Sequence, residues 1–277
     1  MKRIACVCAA LTVALTGLAR AQDRLTQTAR QVLDQNKDAV VWVSAVVKVQ
    51  AGGLGINLGP AQEQKLETLG TVIDPSGLVV LSNTMLNPTS LVGNMEVTIG
   101  GETKKIEMKA EVSDVKIRLA EGQEIAAKLV LKDPDLDLAF VMPEKPLKDK
   151  LPAVKLDKAP DAKALDDVIC LGRLGQSLDR QPTVALAKLS AVVRKPRTFY
   201  TSIGFGSPGI PVFCADGKLL GIHLLRQGTT LGDGAGLLSL AASGGIATVV
   251  LPAEDVDEIA KQALAKKDEK PTTGKSD

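Results

Sequence analysis

The residue types that most often carry out chemistry are scarce in this chain. It has one histidine, His223, and four cysteines, of which only Cys170 and Cys214 lie beyond the apolar N-terminal segment. A histidine can transfer protons near neutral pH, and a thiol can act as a nucleophile, bind a metal or form a disulfide. With a single histidine and no Cys-x-x-Cys pair, a structural zinc site has too few ligands. We therefore expect no metal and no other cofactor.

The composition is that of an ordinary globular protein. Of the 277 residues, 45% are hydrophobic and 24% are charged, and Lys plus Arg (34) nearly balance Asp plus Glu (32). Only 2% are aromatic. Because neither a basic surface nor stacking side chains is indicated, the composition argues against nucleic-acid binding.

The first residues predict a secretory signal peptide. Lys2 and Arg3 precede an apolar stretch, Ile4–Leu18, which is followed by the small-x-small sequence Ala19-Arg20-Ala21. The apolar stretch is shorter than the ~20 residues that a membrane-spanning helix needs. We therefore expect cleavage after Ala21, export to the periplasm or the medium, and no membrane span in the mature chain.

The rest of the chain is predicted to consist mainly of short strands. The turn Asp74-Pro75-Ser76-Gly77 lies between two apolar runs and predicts a hairpin. Further strands are predicted at 40–49, 95–99, 105–109, 115–119, 125–131 and 136–142, and a second series starts at Val168 and continues at 184–193, 210–214, 219–225 and 246–251. Repeated short strands favour a sandwich or barrel over βαβ units.

Two helices are predicted outside the strands. Leu25, Ala29, Val32 and Leu33 fall at helical spacing near the N-terminus. A second apolar stripe with helical spacing lies near the C-terminus, at Val256, Ile259, Ala260, Ala263 and Leu264. The stretch from Pro143 to Asp166, rich in Pro, Lys and Asp, reads as a connector between two halves.

Six segments carry a resemblance through their order along the chain. They are Gly70–Gly77, Asp135–Ala139, Val168–Gly172, Gly206–Val212, Asp216–Ile222 and Gly245–Val256. In this order they resemble the segments of HtrA (Do)-type trypsin-like serine proteases that lead to the catalytic histidine, carry the aspartate, form a buried strand, form the nucleophile loop, follow that loop and enter the C-terminal helix.

The resemblance extends from Asp38 to Leu264 and implies an all-β fold: two antiparallel β-barrels of trypsin-like type, a cleft between them, and short N-terminal and C-terminal helices. Together with the signal pattern at the N-terminus and the polar stretch at the C-terminus, it divides the chain into a signal peptide (1–21), an N-terminal helix (22–39), a first barrel (40–147), a second barrel (148–252), a C-terminal helix (253–266) and a disordered tail (267–277). No PDZ module is expected, and the length of Asn87–Lys116 predicts an extra hairpin.

The positions that match a catalytic triad have lost two of its three members. The carboxylate falls on Asp137, the base on Thr84 and the nucleophile on Pro208. Thr84 cannot accept a proton at neutral pH, and Pro208 has neither a hydroxyl nor a backbone N–H. The resemblance therefore implies a protease homologue without triad chemistry, in which Asp137 caps backbone N–H groups.

Other residues leave alternatives open. Ser207 stands beside the lost nucleophile but has no histidine near it in sequence, so we interpret it as a turn residue, and we interpret His223 as a half-buried strand residue. Related two-barrel proteins often tie the strand before the nucleophile loop to the strand after it. The resemblance therefore implies a disulfide between Cys170 and Cys214.

Three functions follow from these expectations. The first is a non-catalytic binding or regulatory protein that holds a polypeptide or protein partner in the cleft between the barrels, or on an exposed strand edge beside it. The second is an active serine endopeptidase with a displaced residue set, such as Ser207 with a lysine. The third is a structural component of the cell envelope. The sequence alone does not select the partner or the oligomeric state.

Overall fold

Strands dominate the chain, and two helices flank them. A computed structural model describes residues 23–52, 62–87, 96–99, 102–105, 107–202, 206–227 and 246–266; the predicted signal peptide and tail lie outside these residues. The helices are α1 (23–36), the single turn α2 (Asn83–Leu86) and α3 (Ala253–Ala265). The strands are β1 (Val40–Gly52), β2 (Gln62–Asp74), β3 (Leu78–Ser82), β4 (Glu96–Ile99), β5 (Glu102–Lys105), β6 (Glu107–Arg118), β7 (Glu124–Asp133), β8 (Leu138–Pro143), β9 (Asp167–Arg173), β10 (Pro182–Val193), β11 (Phe199–Ser202), β12 (Pro211–Cys214), β13 (Leu219–Gln227) and β14 (Ile246–Pro252).

The first barrel closes in the order β1-β2-β3-β8-β7-β6, with every pair antiparallel. The predicted hairpin between β2 and β3 turns at Asp74–Gly77, where the Gly77 N–H donates to the Asp74 carbonyl at 2.9 Å. Gly77 has φ +95°, a conformation that favours glycine. The predicted extra hairpin is also present, as the separate antiparallel pair β4 and β5.

The second barrel closes in the order β10-β11-β14-β13-β12-β9. The fold class predicted from the resemblance, two antiparallel barrels with a helix at each end, is thereby confirmed. The sequence prediction omitted β11. One of its two partners, β14, is distant in sequence, as the pairing of Tyr200 with Val250 shows.

Helix α1 and the Arg173 side chain both connect the two barrels. Helix α1 packs on the β12–β13 turn, where a Cβ on Gly217 would lie 3.5 Å from Thr28 and from Val32. The Arg173 guanidinium donates to the carbonyls of Val40 (2.5 Å) and Lys37 (2.7 Å), and only 6% of this side chain is exposed. These contacts fix the position of β9 against β1, and so the position of one barrel relative to the other.

The C-terminal helix buries the apolar stripe that the sequence predicted, with Val256, Ile259, Ala260 and Ala263 all in the core. Its Glu254 carboxylate accepts a hydrogen bond from the Ala159 N–H at 2.8 Å, which ties the connector to the second barrel. Within the described residues, no helix has the length and apolar character needed to cross a membrane.

Candidate functional site

The Asp137 carboxylate is buried at the junction of the two barrels and accepts three hydrogen bonds. The Ser82 hydroxyl donates to Oδ2 at 2.6 Å, and the Thr84 N–H donates to Oδ1 at 2.7 Å. The third donor is the Leu225 N–H on β13, which reaches Oδ2 at 2.9 Å. Asp137 therefore links the β3–α2 corner of the first barrel to a strand of the second.

The backbone at Asp137 is shaped for this contact. Its φ is +59°, a left-handed conformation that Asp and Asn adopt more readily than most residues. The Asp137 carbonyl accepts from the Asn83 N–H at 2.9 Å, so main chain and side chain both hold the first turn of α2. Thr84 is 5% exposed and lies in this turn, where the resemblance places a base.

The loop matched to the nucleophile segment makes a sharp turn at Gly209. Gly209 has φ +90°, and a Cβ there would lie 2.2 Å from the Leu69 carbonyl oxygen of the first barrel. No side chain fits at that distance, so only glycine lets the loop approach the other barrel. The Gly209 carbonyl accepts from the Thr71 hydroxyl at 2.7 Å, a second bond across the barrel junction.

The only histidine of the chain, His223 on β13, hydrogen-bonds this loop. His223 is fully buried, not half-buried as the sequence suggested, and its Nδ1 lies 3.2 Å from the Ser207 carbonyl oxygen. Because a carbonyl can only accept, Nδ1 carries the proton. The His223 main chain also bonds the loop, accepting from the Gly209 N–H (2.7 Å) and donating to the Ile210 carbonyl (2.9 Å). Burial lowers the pKa of His223 to about 4, and the Ser207 carbonyl partly opposes that shift.

The matched triad positions stand on elements that meet at the barrel junction. Thr84 and Asp137 are in direct contact, and Asp137 reaches the strand that carries His223 through Leu225. Pro208 lies in the loop that this strand supports, directly before Gly209. Ser207 is exposed and contacts His223 through its carbonyl oxygen.

Sequence reasoning missed several residues that shape this region. Ser82 and Thr71 are buried, and the available sequence signal was a hydroxyl residue within an apolar strand. Arg226 gave no signal. Its Nη1 donates to the Asp135 carbonyl at 3.1 Å, and its guanidinium lies 4.7 Å from the centre of the Phe199 ring, so it spans the two barrels beside Asp137.

The expected disulfide is absent, and both cysteines are free thiols. Cys170 on β9 pairs with Val212 on β12, and Cys214 pairs with Val168, so the two cysteines are diagonal neighbours and not directly opposite each other. Diagonal positions are farther apart than directly opposed ones. Burial raises the pKa of Cys170 to about 12 and that of Cys214 to about 11, so both thiols stay protonated at neutral pH. In the described part of the chain, no group of three His, Cys, Asp or Glu side chains could hold a metal ion.

Known proteins share this architecture and part of this sequence. Residues 69–222 match the family model of the trypsin-like peptidase domain. The periplasmic serine endoprotease DegP of Salmonella typhimurium is 27% identical over 197 residues, which are 67% of this chain and 36% of that protein. The chain thus spans about a third of the length of that relative. The structure of the HtrA-type protease AlgW with decapeptide is similar in fold, with a TM-score of 0.54 and 17% identity over 86% of this chain and 68% of that one.

Proposed function

Since this chain belongs to the trypsin-like peptidase family and resembles its HtrA-type members, we propose that it is a non-catalytic member that binds an extended polypeptide in the cleft between its barrels. The observation that carries the proposal is the state of the Asp137 carboxylate. Three donors of the protein scaffold engage it, and the side chain at the position of the base is that of Thr84. The carboxylate serves as a link between barrels and has no base to orient.

The loss of the nucleophile supports the same conclusion. Pro208 supplies no hydroxyl, and the neighbouring Ser207 meets the histidine through its carbonyl oxygen and not through its hydroxyl. Losing the serine or histidine of a triad lowers turnover by roughly a millionfold. His223 is fully buried behind the loop, and its lowered pKa makes it a weak base.

The oxyanion donors are also reduced. A serine protease stabilises its tetrahedral intermediate with backbone N–H groups of the nucleophile loop. Pro208 has no N–H, and the next N–H along the chain, that of Gly209, is held by the His223 carbonyl at 2.7 Å. Losing one such donor alone lowers turnover by roughly a hundred- to a thousandfold.

Strand β13 supplies an edge for polypeptide binding. The N–H and C=O groups of His223 bond the loop, and the Leu225 N–H bonds Asp137. The main-chain N–H and C=O groups of every second residue, starting at His223, therefore point away from β14. The same alternation places the Leu225 C=O and the Gln227 N–H and C=O on the edge that faces the first barrel. An extended peptide can pair with these groups by strand addition.

We also propose that the protein is exported and acts in the periplasm. The N-terminal segment has the pattern of a signal peptide, and the relative DegP is named a periplasmic protein. N-terminal sequencing of protein from the periplasmic fraction should find Gln22 first. An N-terminus at Met1, or recovery from the cytoplasm alone, would contradict export.

The test of catalysis uses the purified protein with fluorescein-labelled casein and with a fluorophosphonate probe. We expect no cleavage and no adduct. Turnover that Ser207→Ala abolishes would instead establish the displaced-serine alternative. A variant with Thr84→His and Pro208→Ser restores a base, a nucleophile and an N–H. It is assayed beside the wild type, and circular dichroism checks that both are folded.

The test of binding measures fluorescence polarisation with the same casein. Gln227→Pro removes the edge N–H but none of the bonds to β14, so we expect it to weaken binding by about tenfold or more. Gln227→Ala keeps the N–H and serves as the matched control. Equal affinity of the two variants would place the binding site elsewhere, and no binding by the wild type would overturn the proposed function.

A further inference from the structure

The exposed large apolar side chains of the described residues are concentrated in one segment of the second barrel. All six lie between residues 165 and 193: Leu165 (73% exposed), Leu174 (36%), Leu178 (58%), Val184 (36%), Leu186 (48%) and Val193 (42%). An apolar surface concentrated in this way usually marks a site of interaction with another molecule.

The centre of this segment is a strand edge without a partner. Strand β10 pairs with β9 from Pro182 to Lys188, whereas its pairing with β11 begins only at Leu189. Within the described residues, no strand pairs with the other edge of 182–188. Both faces of the strand are accessible there, since Val184, Ala185 and Leu186 are all exposed.

The hydrogen bonds of β10 show which groups face the open edge. Leu189 exchanges main-chain bonds with Asp166 and Leu165 on the β9 side, and the Lys188 carbonyl accepts from the Ser202 hydroxyl on the β11 side. Because successive residues alternate, the N–H and C=O groups of Val184 and Leu186 face outward, while those of Ala185 face β9.

Another open edge of the chain, on strand β2, carries polar and charged side chains. Strand β2 pairs with β3 only from Gly70 onward, so one edge of 62–67 has no partner among the described residues either. That stretch is Gln-Glu-Gln-Lys-Leu-Glu, with charged and amide side chains that oppose strand addition. The edge of β10 has no charge between Pro182 and Lys188. The contrast indicates that the β10 edge is kept open for a partner.

We propose that this partner is a second copy of the chain, joined edge to edge through antiparallel β10 strands with the two-fold axis at Ala185. The edge is complementary to itself. Val184 of one copy would pair with Leu186 of the other, and each pair would exchange two main-chain hydrogen bonds.

Charge is compatible with this arrangement. Lys188, the only charged side chain on the open stretch, is paired with Asp167 of its own chain at 2.6 Å. It therefore brings no uncompensated charge to the two-fold interface. A foreign extended peptide would meet the same main-chain groups but would not match the symmetric placement of Val184 and Leu186 about Ala185.

The first experiment measures molecular mass by sedimentation velocity over a range of concentrations. We expect the wild type to be a dimer and Leu186→Lys to be a monomer, with circular dichroism confirming that both are folded. Val193→Lys is the matched control, because Val193 is similarly exposed on the same strand but pairs with Phe199 of β11. A monomeric wild type, or an unchanged dimer in Leu186→Lys, would overturn the proposal.

A cross-link tests the position of the axis. Residues that face each other in a non-hydrogen-bonded antiparallel pair are close enough for a disulfide. Ala185→Cys should therefore form a covalent dimer on mild oxidation, whereas Val193→Cys and the wild type should not. If Ala185→Cys stays monomeric on a non-reducing gel while the wild type sediments as a dimer, the copies meet elsewhere and the proposed axis is wrong.

Discussion

Replacing Asp137 by Asn should destabilise this protein strongly, although the change removes only one charge. The amide oxygen can keep the bond from the Thr84 N–H, but the amide nitrogen then occupies the position of Oδ2, where the Ser82 hydroxyl and the Leu225 N–H both donate. The hydroxyl can rotate and accept, but the Leu225 N–H cannot. The backbone at φ +59° is tolerated by Asn as by Asp, so strain does not change.

The magnitude follows from these three bonds. A buried N–H left without an acceptor costs about 1–3 kcal/mol, and the two remaining bonds each lose about 1 kcal/mol when their acceptor is no longer charged. We therefore expect the free energy of unfolding to fall by about 3–5 kcal/mol. The assay is urea unfolding followed by circular dichroism, in which such a loss lowers the midpoint by roughly 1–2 M.

The matched control is Asp135→Asn, two residues earlier. The Asp135 residue is exposed and contributes its carbonyl, not its carboxylate, to the bond with Arg226. A surface change of this kind should alter stability by less than about 0.5 kcal/mol. If the Asp137 and Asp135 variants unfold at the same urea concentration, the carboxylate does not link the barrels. Our account of why it is retained would then be wrong.

Three further outcomes are expected. The pKa of His223 is about 4 in the folded protein and about 6.5 in the unfolded chain, so the unfolded chain binds more protons between these pH values. The free energy of unfolding should therefore fall by about 3 kcal/mol as the pH drops through this window. In urea titrations at a series of pH values, His223→Gln should show a smaller fall. Gly209→Ala should lose at least about 3 kcal/mol or fail to fold, because its Cβ would lie 2.2 Å from the Leu69 carbonyl; near-wild-type thermal stability would contradict this. Ellman titration should count Cys170 and Cys214 as two thiols in denaturant and react slowly with the folded protein, where burial raises both pKa values; no thiols in denaturant would restore the disulfide.

Much of the architecture can be predicted from local sequence. The turn Asp74–Gly77 and the apolar stripe of α3 are encoded within a few residues, and the structure has both. The order of the six resembling segments led to the double barrel without any knowledge of strand pairing. Strand β11 escaped prediction because it is defined by its pairing with β10 and with the distant strand β14.

The sequence by itself determined which side chains occupy the matched triad positions, since Thr84 and Pro208 lack the necessary groups whatever the fold does with them. What Asp137 does was decided only in the tertiary structure, because its donor Leu225 is 88 residues away along the chain. Strand register likewise decided that Cys170 and Cys214 are diagonal neighbours, since a shift of two residues on one strand would have placed them opposite each other. Local patterns do not determine such long-range pairings. The pairings follow from how the closed barrels pack.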